Sequence, residues 1–252
     1  MNRAGRPGGV RRNRDADWNA WPVADYLAEN YRHLHPCDIG VICHHSAFYR
    51  QFAPGSIGRS LEFGAGPNLY PLMLASAASR HIDALEPSTA NVGYLRDQLA
   101  RGPDDSWQAF YTLCRELDPG LPETPAEALA RVRIVPGDAD DIPEGAYDLS
   151  SMNFVAESVT EDFAEVTALC AAFVRSVRPG GYLVASFMER MPSYRIGAGP
   201  PWPACPVDAD AVGSVFAPLT AELKINRLAK DRTLPEYGDT GVLLMTARRP
   251  DS

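Results

Sequence analysis

The stretch that decides the fold reads SLEFGAGPNLY and spans residues 60–70. Its first residues are typical of a short buried strand, and the residues after the glycines predict a helix. Glycines at such a turn let the backbone approach a ligand closely, and the N-terminus of the helix presents free N–H groups. A Gly-x-Gly turn alone is weak evidence for a binding site, because a tight turn without a ligand explains it equally well.

Strand and helix patterns alternate from this turn to the end of the chain. The later predicted strands are, in order, HIDALEP, RVRIVPGD, YDLSSMNFV, YLVASFM, AELKINRLA and GVLLMTARR. Helical patterns lie between most of them but not between the last two, which we expect to pair as a hairpin. The order predicts an α/β fold with a seven-stranded, mostly parallel sheet whose last strand is antiparallel.

Composition divides the chain into three regions. Residues 1–16 form a basic tail that we expect to be disordered, because no apolar run follows the arginines as it would in a signal peptide. Residues 17–56 carry apolar and aromatic residues at helical spacing and predict an N-terminal helical cap. Residues 57–252 form the α/β domain, with expected insertions near 101–130 and 190–206, of which the second is too rich in proline for a regular element.

Charge and cysteine content exclude several classes of protein. The formal net charge is -8, whereas a nucleic-acid-binding domain is normally basic. No apolar run approaches the length of a membrane span. The 5 cysteines show no CxxC spacing, and neither they nor the histidines repeat at metal-ligand spacing. We therefore expect a cytoplasmic monomer or weak homodimer with reduced thiols, which binds neither nucleic acid, nor membranes, nor a metal ion.

Two residues of the glycine turn select among possible ligands. A dinucleotide fingerprint needs a third glycine where Leu69 stands, and a bulky side chain there would crowd a pyrophosphate. Glu62, just before the glycines, would repel a phosphate but attract an ammonium or sulfonium group. The turn therefore favours a positively charged cofactor without phosphate, and S-adenosylmethionine has both properties.

Carboxylates follow the next two predicted strands. Glu86 ends the second strand, where a carboxylate can accept hydrogen bonds from both ribose hydroxyls of a nucleoside. Asp138 follows the third strand and could accept a hydrogen bond from an adenine amino group. The alternatives are a solvated loop carboxylate for Glu86 and a turn cap for Asp138.

At four separated places the chain resembles a known family. The motifs are GAGPNLY, the pair Tyr26 and Tyr31 in YLAENY, Glu86 followed by Asn91, and GGYLV at 180–184 with SYRIG further on. The chain resembles the S-adenosylmethionine-dependent methyltransferases that act on nicotinamide, phenylethanolamine and thioethers. The resemblance implies a Rossmann-like fold, in which residues 57–252 are the S-adenosylmethionine-binding methyltransferase domain.

The resemblance also implies roles for individual residues around the cofactor. The turn itself contributes Glu62 and Gly66 as expected cofactor-binding residues. The resemblance adds Tyr26, Tyr31, Gly64, Tyr70, Glu86, Asn91, Asp138, Ala139 and Asn153. Tyr194 matches an aromatic residue of the family's substrate pocket. Amine-methylating members carry a carboxylate at the end of the fifth strand. The matching position here is Phe187, which is therefore a candidate for the substrate pocket, and Glu189, two residues later, would point to the same side of the strand.

Other candidates follow from position in the chain. Trp202 lies in the loop after the fifth predicted strand, where ligands bind in open α/β sheets, and is a second candidate for the substrate pocket. Glu157 and Glu189 are the best carboxylates for a base or an acceptor anchor, although each could be a surface charge. Tyr31, with these two, completes the set of candidate catalytic residues.

We therefore expect an S-adenosylmethionine-dependent methyltransferase that yields S-adenosylhomocysteine. Its acceptor would be a small aromatic or heterocyclic molecule, with nitrogen favoured weakly over oxygen, sulfur or carbon. One alternative is a non-catalytic S-adenosylmethionine-binding accessory protein. The other is a nicotinamide-dependent oxidoreductase, against which Leu69 and Glu62 both count.

Overall fold

A seven-stranded sheet organises the computed structural model, which describes residues 10–251. The strands are β1 (Ile57–Phe63), β2 (Ser79–Glu86), β3 (Val132–Pro136), β4 (Tyr147–Asn153), β5 (Val177–Glu189), β6 (Ser193–Tyr194), β7 (Trp202–Pro203), β8 (Ala221–Ala229) and β9 (Gly241–Arg248). The helices are α1 (Val23–Asn30), α2 (Pro36–Tyr49), α3 (Tyr70–Ala75), α4 (Thr89–Arg101), α5 (Trp107–Leu117), α6 (Pro125–Leu129), α7 (Phe163–Ser176) and α8 (Ala209–Phe216).

The topology of this sheet confirms the fold predicted from the sequence. The strand order is β3-β2-β1-β4-β5-β9-β8. The first five strands of that order are parallel, β9 is antiparallel to β5, and β8 and β9 form the expected antiparallel pair. The direction of winding reverses between β1 and β4, so their carboxyl ends form the crevice where open α/β sheets bind ligands.

Each face of the sheet is covered by helices over a separate apolar core. On one face, α2, α3 and α5 bury side chains such as Tyr70, Trp107 and Phe110. On the other, α7 and α8 bury Phe173 and Phe216. The central strands are therefore buried on both faces, and even polar residues such as Ser60, Glu62 and Ser150 are buried there.

The structure describes the N-terminal segment from residue 10, and a short 3₁₀ helix (Asn13–Asp15) lies in the part of the tail for which we expect disorder. Residues 1–9 lie outside the described part of the chain. The backbone of Arg11 exchanges two hydrogen bonds with Glu161, through its N–H to Oε2 (2.9 Å) and its C=O from the N–H of Glu161 (2.7 Å). Trp18, seven residues after Arg11, accepts a hydrogen bond at its C=O from Ser88 Oγ (2.8 Å). The segment therefore spans from the loop before α7 to the N-terminus of α4.

The two expected insertions are more regular than their composition indicates. Residues 101–130 contain α5 and α6, because Trp107 and Phe110 anchor α5 in the core despite the surrounding prolines and glycines. In 190–206, β6 and β7 form a short antiparallel pair that brings Tyr194 opposite Trp202. Among residues 10–251, no helix is both long and apolar enough to cross a lipid bilayer.

Candidate functional site

A cavity opens at the carboxyl ends of β1, β2 and β4, beneath α1, α2 and the N-terminal segment. Many of the residues expected at the site line it together: Tyr26, Tyr31, Gly64, Gly66, Glu86, Asn91, Asp138, Ala139, Asn153 and Tyr194. Other predicted residues lie outside the lining, namely Glu62, Tyr70, Glu157, Phe187, Glu189 and Trp202. The cavity thus joins the predicted cofactor residues to one of the predicted acceptor residues.

The glycine turn has the backbone shape that a ligand cradle needs. Gly64 and Gly66 have φ values of 68° and 55°, a region that disfavours side chains. A Cβ at Gly64 would lie 2.8 Å from Val155, whereas one at Gly66 would meet no atom within 4 Å. Since Gly66 lines the cavity, the missing side chain there leaves space for a ligand.

Glu86 ties this turn to the tip of β2. Its Oε2 accepts from the N–H of Gly66 (2.8 Å), and its Oε1 accepts from the N–H of Ser88 (2.8 Å) and from Asn91 Nδ2 (3.1 Å). Burial raises the pKa of this carboxyl, while these donors oppose the rise. Asn91 Oδ1 is buried without a partner in residues 10–251. These two side chains fit the ribose of a nucleoside, with unused acceptor capacity on both.

Glu62 does not face the ligand as predicted. It is buried, and its carboxylate accepts from Ser151 Oγ and, at 3.0 Å, from Asn153 Nδ2. Burial raises its pKa to about 7, and the two donors oppose the rise. Asn153 does line the cavity, and its Oδ1 accepts from Ser186 Oγ (2.7 Å). Glu62 is therefore placed to orient Asn153 from behind rather than to contact a ligand.

Tyr26 and Tyr31 converge on one wall of the cavity. Their hydroxyl oxygens are 3.5 Å apart, although five residues separate them and a continuous helix would make them diverge. They meet because α1 ends at Asn30, and Tyr31 adopts φ -131° and ψ 14°. Asn68 Nδ2, from the glycine turn, donates to the Tyr31 hydroxyl (3.1 Å). The pair thus connects the helical cap to the turn.

Tyr70 supports this wall without lining the cavity. It is fully buried, and its ring stacks on Phe110 with centroids 6.0 Å apart. The Tyr31 ring lies 6.3 Å from it and 5.4 Å from that of Trp107. Tyr70 therefore packs behind Tyr31 and does not reach the cavity, so the expected contact between Tyr70 and the cofactor is not supported.

An aromatic cluster closes the other end of the cavity. Trp21 lies 5.3 Å from Tyr26 and 5.9 Å from Tyr194, as measured between ring centroids. Tyr237, from the loop between β8 and β9, lies 6.3 Å from Tyr194. Trp202 stacks on Trp18 (5.1 Å) and stands one layer outside the lining. Trp202 therefore does not line the substrate pocket as expected but supports the lining residue Trp18 from outside.

The end of β5 presents a different residue to the cavity from the ones predicted. Met188 lines it, whereas Phe187 packs against Phe216 on the opposite face, with centroids 6.0 Å apart. Glu189 is paired with Arg227 (2.7 Å), and this partner lowers the pKa of Glu189. Both predictions for this strand end fail for one reason: successive side chains alternate between faces, and position 188 faces inward.

Glu157 is fully buried behind the lining, between the loop after β4 and the end of β5. Its Oε1 accepts from the N–H of Met188 (2.8 Å) and from Ser158 Oγ (3.3 Å). Its Oε2 has no partner in residues 10–251, and burial raises its pKa to about 7. Ser158 and Met188 do line the cavity, so this carboxylate lies one side chain away from it.

Several lining residues escaped the sequence analysis. Asn30 donates to the C=O of Tyr26 (3.0 Å) and accepts from the Tyr237 hydroxyl (3.0 Å), which ties α1 to the loop after β8. Asp38 lines the cavity from the first turn of α2. An acidic residue in a first turn reads as an ordinary helix start, so only the fold brings it to the site. Among residues 10–251, no group of three metal-binding side chains comes together.

No protein-family model matches the chain, and no curated protein matches its sequence significantly. Solved structures do resemble it. N-methyltransferase NodS from Bradyrhizobium japonicum WM9, in complex with S-adenosyl-l-homocysteine, matches with a TM-score of 0.54 and 15% identity over 92% of this chain and 94% of that chain.

Two further structures extend the comparison. The [4+2]-cyclase SpnF matches with a TM-score of 0.55 and 16% identity, over 83% of this chain and 81% of that one. A Burkholderia thailandensis 1,6-didemethyltoxoflavin-N1-methyltransferase matches with a TM-score of 0.50 and 16% identity, over 84% and 79%. At these identities the comparisons show the Rossmann-like fold of methyltransferases. The cyclase shows that the fold alone does not determine the reaction.

Proposed function

We propose that the protein is an S-adenosylmethionine-dependent methyltransferase acting on a small aromatic or heterocyclic acceptor, with nitrogen as the favoured acceptor atom. The observation that carries the proposal is the arrangement of Glu86, Gly66 and Asn91 at the tips of β1 and β2, described above. A buried carboxylate beside an open glycine turn fits a nucleoside with free ribose hydroxyls.

The charge of the lining supports a cofactor without phosphate. Its charged side chains are Asp38, Glu86 and Asp138, and no Lys, Arg or His of residues 10–251 lines the cavity. A pyrophosphate would meet only negative side chains there, whereas a sulfonium group would be attracted. This balance disfavours a nicotinamide dinucleotide and favours S-adenosylmethionine.

The chain's own part in the reaction is mainly orientation and exclusion of water. When bound, S-adenosylmethionine supplies a methyl group on a charged sulfur, whose carbon–sulfur bond breaks as an acceptor lone pair attacks in line. Tyr26 and Tyr31 wall the cavity between the turn and the acceptor end, and Trp21 and Tyr194 close that end against solvent. Holding reactants in line can supply up to ~7–11 kcal/mol of barrier reduction. Glu157 could withdraw a proton only through Ser158 or a rearrangement, since it lies behind the lining.

A non-catalytic accessory protein remains the second candidate. It is favoured by the end of β5, where Met188 rather than a carboxylate faces the cavity. Such a protein would bind the cofactor without turnover.

Calorimetry and turnover assays distinguish these functions. We expect heat on titration with S-adenosylmethionine and S-adenosylhomocysteine, and none with NAD. A panel of amines, heteroaromatic nitrogens, phenols and thiols should then give turnover with at least one nitrogen compound. Tight binding of NAD without binding of S-adenosylhomocysteine would overturn the proposal, and cofactor binding without any turnover would favour the accessory protein.

Substitution of Tyr31 separates its hydroxyl from its ring. We expect Tyr31→Phe to weaken S-adenosylhomocysteine binding about tenfold and to cost only ~1 kcal/mol of unfolding free energy, because it removes the hydroxyl that accepts from Asn68 and keeps the ring. Tyr31→Ala should also cost ~3–5 kcal/mol of unfolding free energy, because it removes a ring packed on Trp107. Calorimetry and denaturant unfolding measure the two effects.

The matched control for Tyr31 is Tyr111→Phe. Tyr111 is a buried tyrosine outside the lining whose hydroxyl donates to the C=O of Pro122 (2.7 Å). Its loss should leave cofactor affinity unchanged. If Tyr31→Phe lost affinity only in proportion to stability, the residue would be a packing residue.

A further inference from the structure

Asp38 is a buried carboxylate that faces the cavity with little to neutralise it. It is 5% exposed and lines the cavity from the first turn of α2. Its Oδ2 accepts a long hydrogen bond (3.3 Å) from the N–H of His35, and no other donor in residues 10–251 bonds it. Salt bridges in that part of the chain do not include it. A buried charge normally needs a partner, so the missing one is expected to be a ligand.

The neighbours of Asp38 join it to a loop that contributes to the aromatic end of the cavity. The N–H of Cys37 donates to Asp231 Oδ2 (2.8 Å), and His35 Nδ1 lies 2.8 Å from Thr233 Oγ1. Both contacts join the start of α2 to the loop between β8 and β9. The same loop supplies Leu234 and Tyr237 to the lining. Glu86 and Asp138, in contrast, lie at the tips of β2 and β3, beside the residues proposed to bind the nucleoside.

Aromatic rings complete this end of the cavity. The rings follow one another in the order Tyr26, Trp21, Tyr194 and Tyr237, with successive centroid distances of 5.3, 5.9 and 6.3 Å. The faces of such rings attract a cation, and a carboxylate beside them adds to the attraction. No basic side chain in residues 10–251 lines the cavity to compete for either.

We propose that Asp38 binds the cationic nitrogen of the acceptor within this aromatic enclosure, and so selects protonated amines over neutral isosteres. This inference rests on the proposed function, because it concerns the acceptor of that same site. Asp38 thereby takes the place of a carboxylate at the end of β5, where Met188 faces the cavity. The charge comes to the acceptor from α2 instead of from the sheet.

The ionisation of Asp38 agrees with this role. Burial raises its pKa to about 7, the His35 N–H opposes the rise, and Asp231 adds to it. A bound ammonium group would lower that pKa again and keep the carboxylate ionised, which favours binding of the cation. Before the methyl transfer, the ammonium proton passes to a carboxylate oxygen, which leaves a neutral amine whose lone pair can attack.

The buried thiol and phenol groups near Asp38, and the Asp231 carboxyl, keep their charge over the same pH range. Burial raises the pKa values of Cys37, Tyr26, Tyr31 and Tyr70, so they remain neutral. The pKa of Asp231 is lowered, so it remains ionised. Burial also raises the pKa values of Glu157 and Glu62 to about 7, but both carboxyls lie behind the lining. A variant of Asp38 distinguishes its carboxyl from these two.

The test measures binding of paired amines and alcohols to the full chain saturated with S-adenosylhomocysteine. The pairs are benzylamine and benzyl alcohol, 2-phenylethylamine and 2-phenylethanol, and tryptamine and tryptophol. At pH 8 we expect at least one amine to bind ~10- to 100-fold more tightly than its alcohol. Asp38→Asn should reduce that preference to within about twofold. In the unsubstituted protein the preference should fall as pH is lowered from 8 to 5.5, and in the variant it should not change.

Asp231→Asn is the matched control, because it removes the same charge from the neighbouring loop, outside the lining. It should retain the amine preference. Three results would overturn the inference: amines that bind no better than alcohols, a preference that survives Asp38→Asn, or a loss confined to S-adenosylhomocysteine affinity. Failure of the unsubstituted protein to bind S-adenosylhomocysteine at all would instead contradict the proposed function.

Discussion

Glu86→Gln should weaken S-adenosylhomocysteine binding by roughly 10- to 100-fold, the larger of the two effects we expect on cofactor affinity. Glu86 accepts hydrogen bonds from two backbone N–H groups and from Asn91. Glutamine offers one acceptor oxygen and an NH₂ group, so one of the backbone donors would face another donor. The ribose would lose a charged acceptor as well. Calorimetry on the purified variant measures the change.

Asp138→Asn is the control for this prediction. Asp138 is an exposed carboxylate at the tip of the adjacent strand, and its Oδ1 accepts from the N–H of Ala139 (2.6 Å), which asparagine can also do. We expect a change of about threefold or less, because an exposed hydrogen bond is worth little. Equal losses for the two variants would mean that Glu86 acts only through overall charge. An unchanged affinity for Glu86→Gln would contradict the placement of the ribose.

Glu62→Gln should stabilise the protein at pH 8 by roughly 1–3 kcal/mol, which is the largest stabilisation we expect. The pKa of Glu62 is raised from 4.5 to about 7, because burial disfavours its charge. At pH 8 the folded state carries that cost in full. As pH falls through about 7, the folded carboxyl takes up a proton before the unfolded one does, so the unfolding free energy rises until about pH 4.5. Glutamine keeps the shape and removes the charge.

Denaturant unfolding between pH 5 and pH 8 checks this sign. The advantage of Glu62→Gln should be largest at pH 8 and should shrink toward pH 5. Glu189→Gln is the opposite control, since Arg227 lowers the pKa of Glu189 and its charge is stabilising. That variant should be destabilised at pH 8 by up to about 1 kcal/mol. A destabilised Glu62→Gln at pH 8 would show that its charge is needed for the fold.

The parts of the fold that depend on local patterns could be predicted from the sequence. Strand alternation, the glycine turn and the missing helix before the last strand are each encoded in a few neighbouring residues. Which face of a strand meets the cavity is not a local property. The two-residue period places Phe187 and Glu189 on one side correctly, but only the packing of α7 and α8 shows that this side faces away from the site.

The same limit explains the remaining differences at the site. Glu62 turns toward Ser151 and Asn153 because β4 supplies donors beside it, which no spacing in the sequence reveals. Tyr26 and Tyr31 converge because the helix ends between them. Asp38 reaches the cavity only because α2 begins against the loop after β8.

The N-terminal segment also provides the protein with an optical reporter. The protein has 4 tryptophans. Trp18 and Trp21 lie in the N-terminal segment, Trp202 stacks against Trp18, and Trp107 is buried beside Tyr31. Intrinsic fluorescence at the mouth of the cavity will therefore respond when a ligand enters. Stopped-flow mixing can then show, without a label or a coupled assay, which of two ligands arrives first.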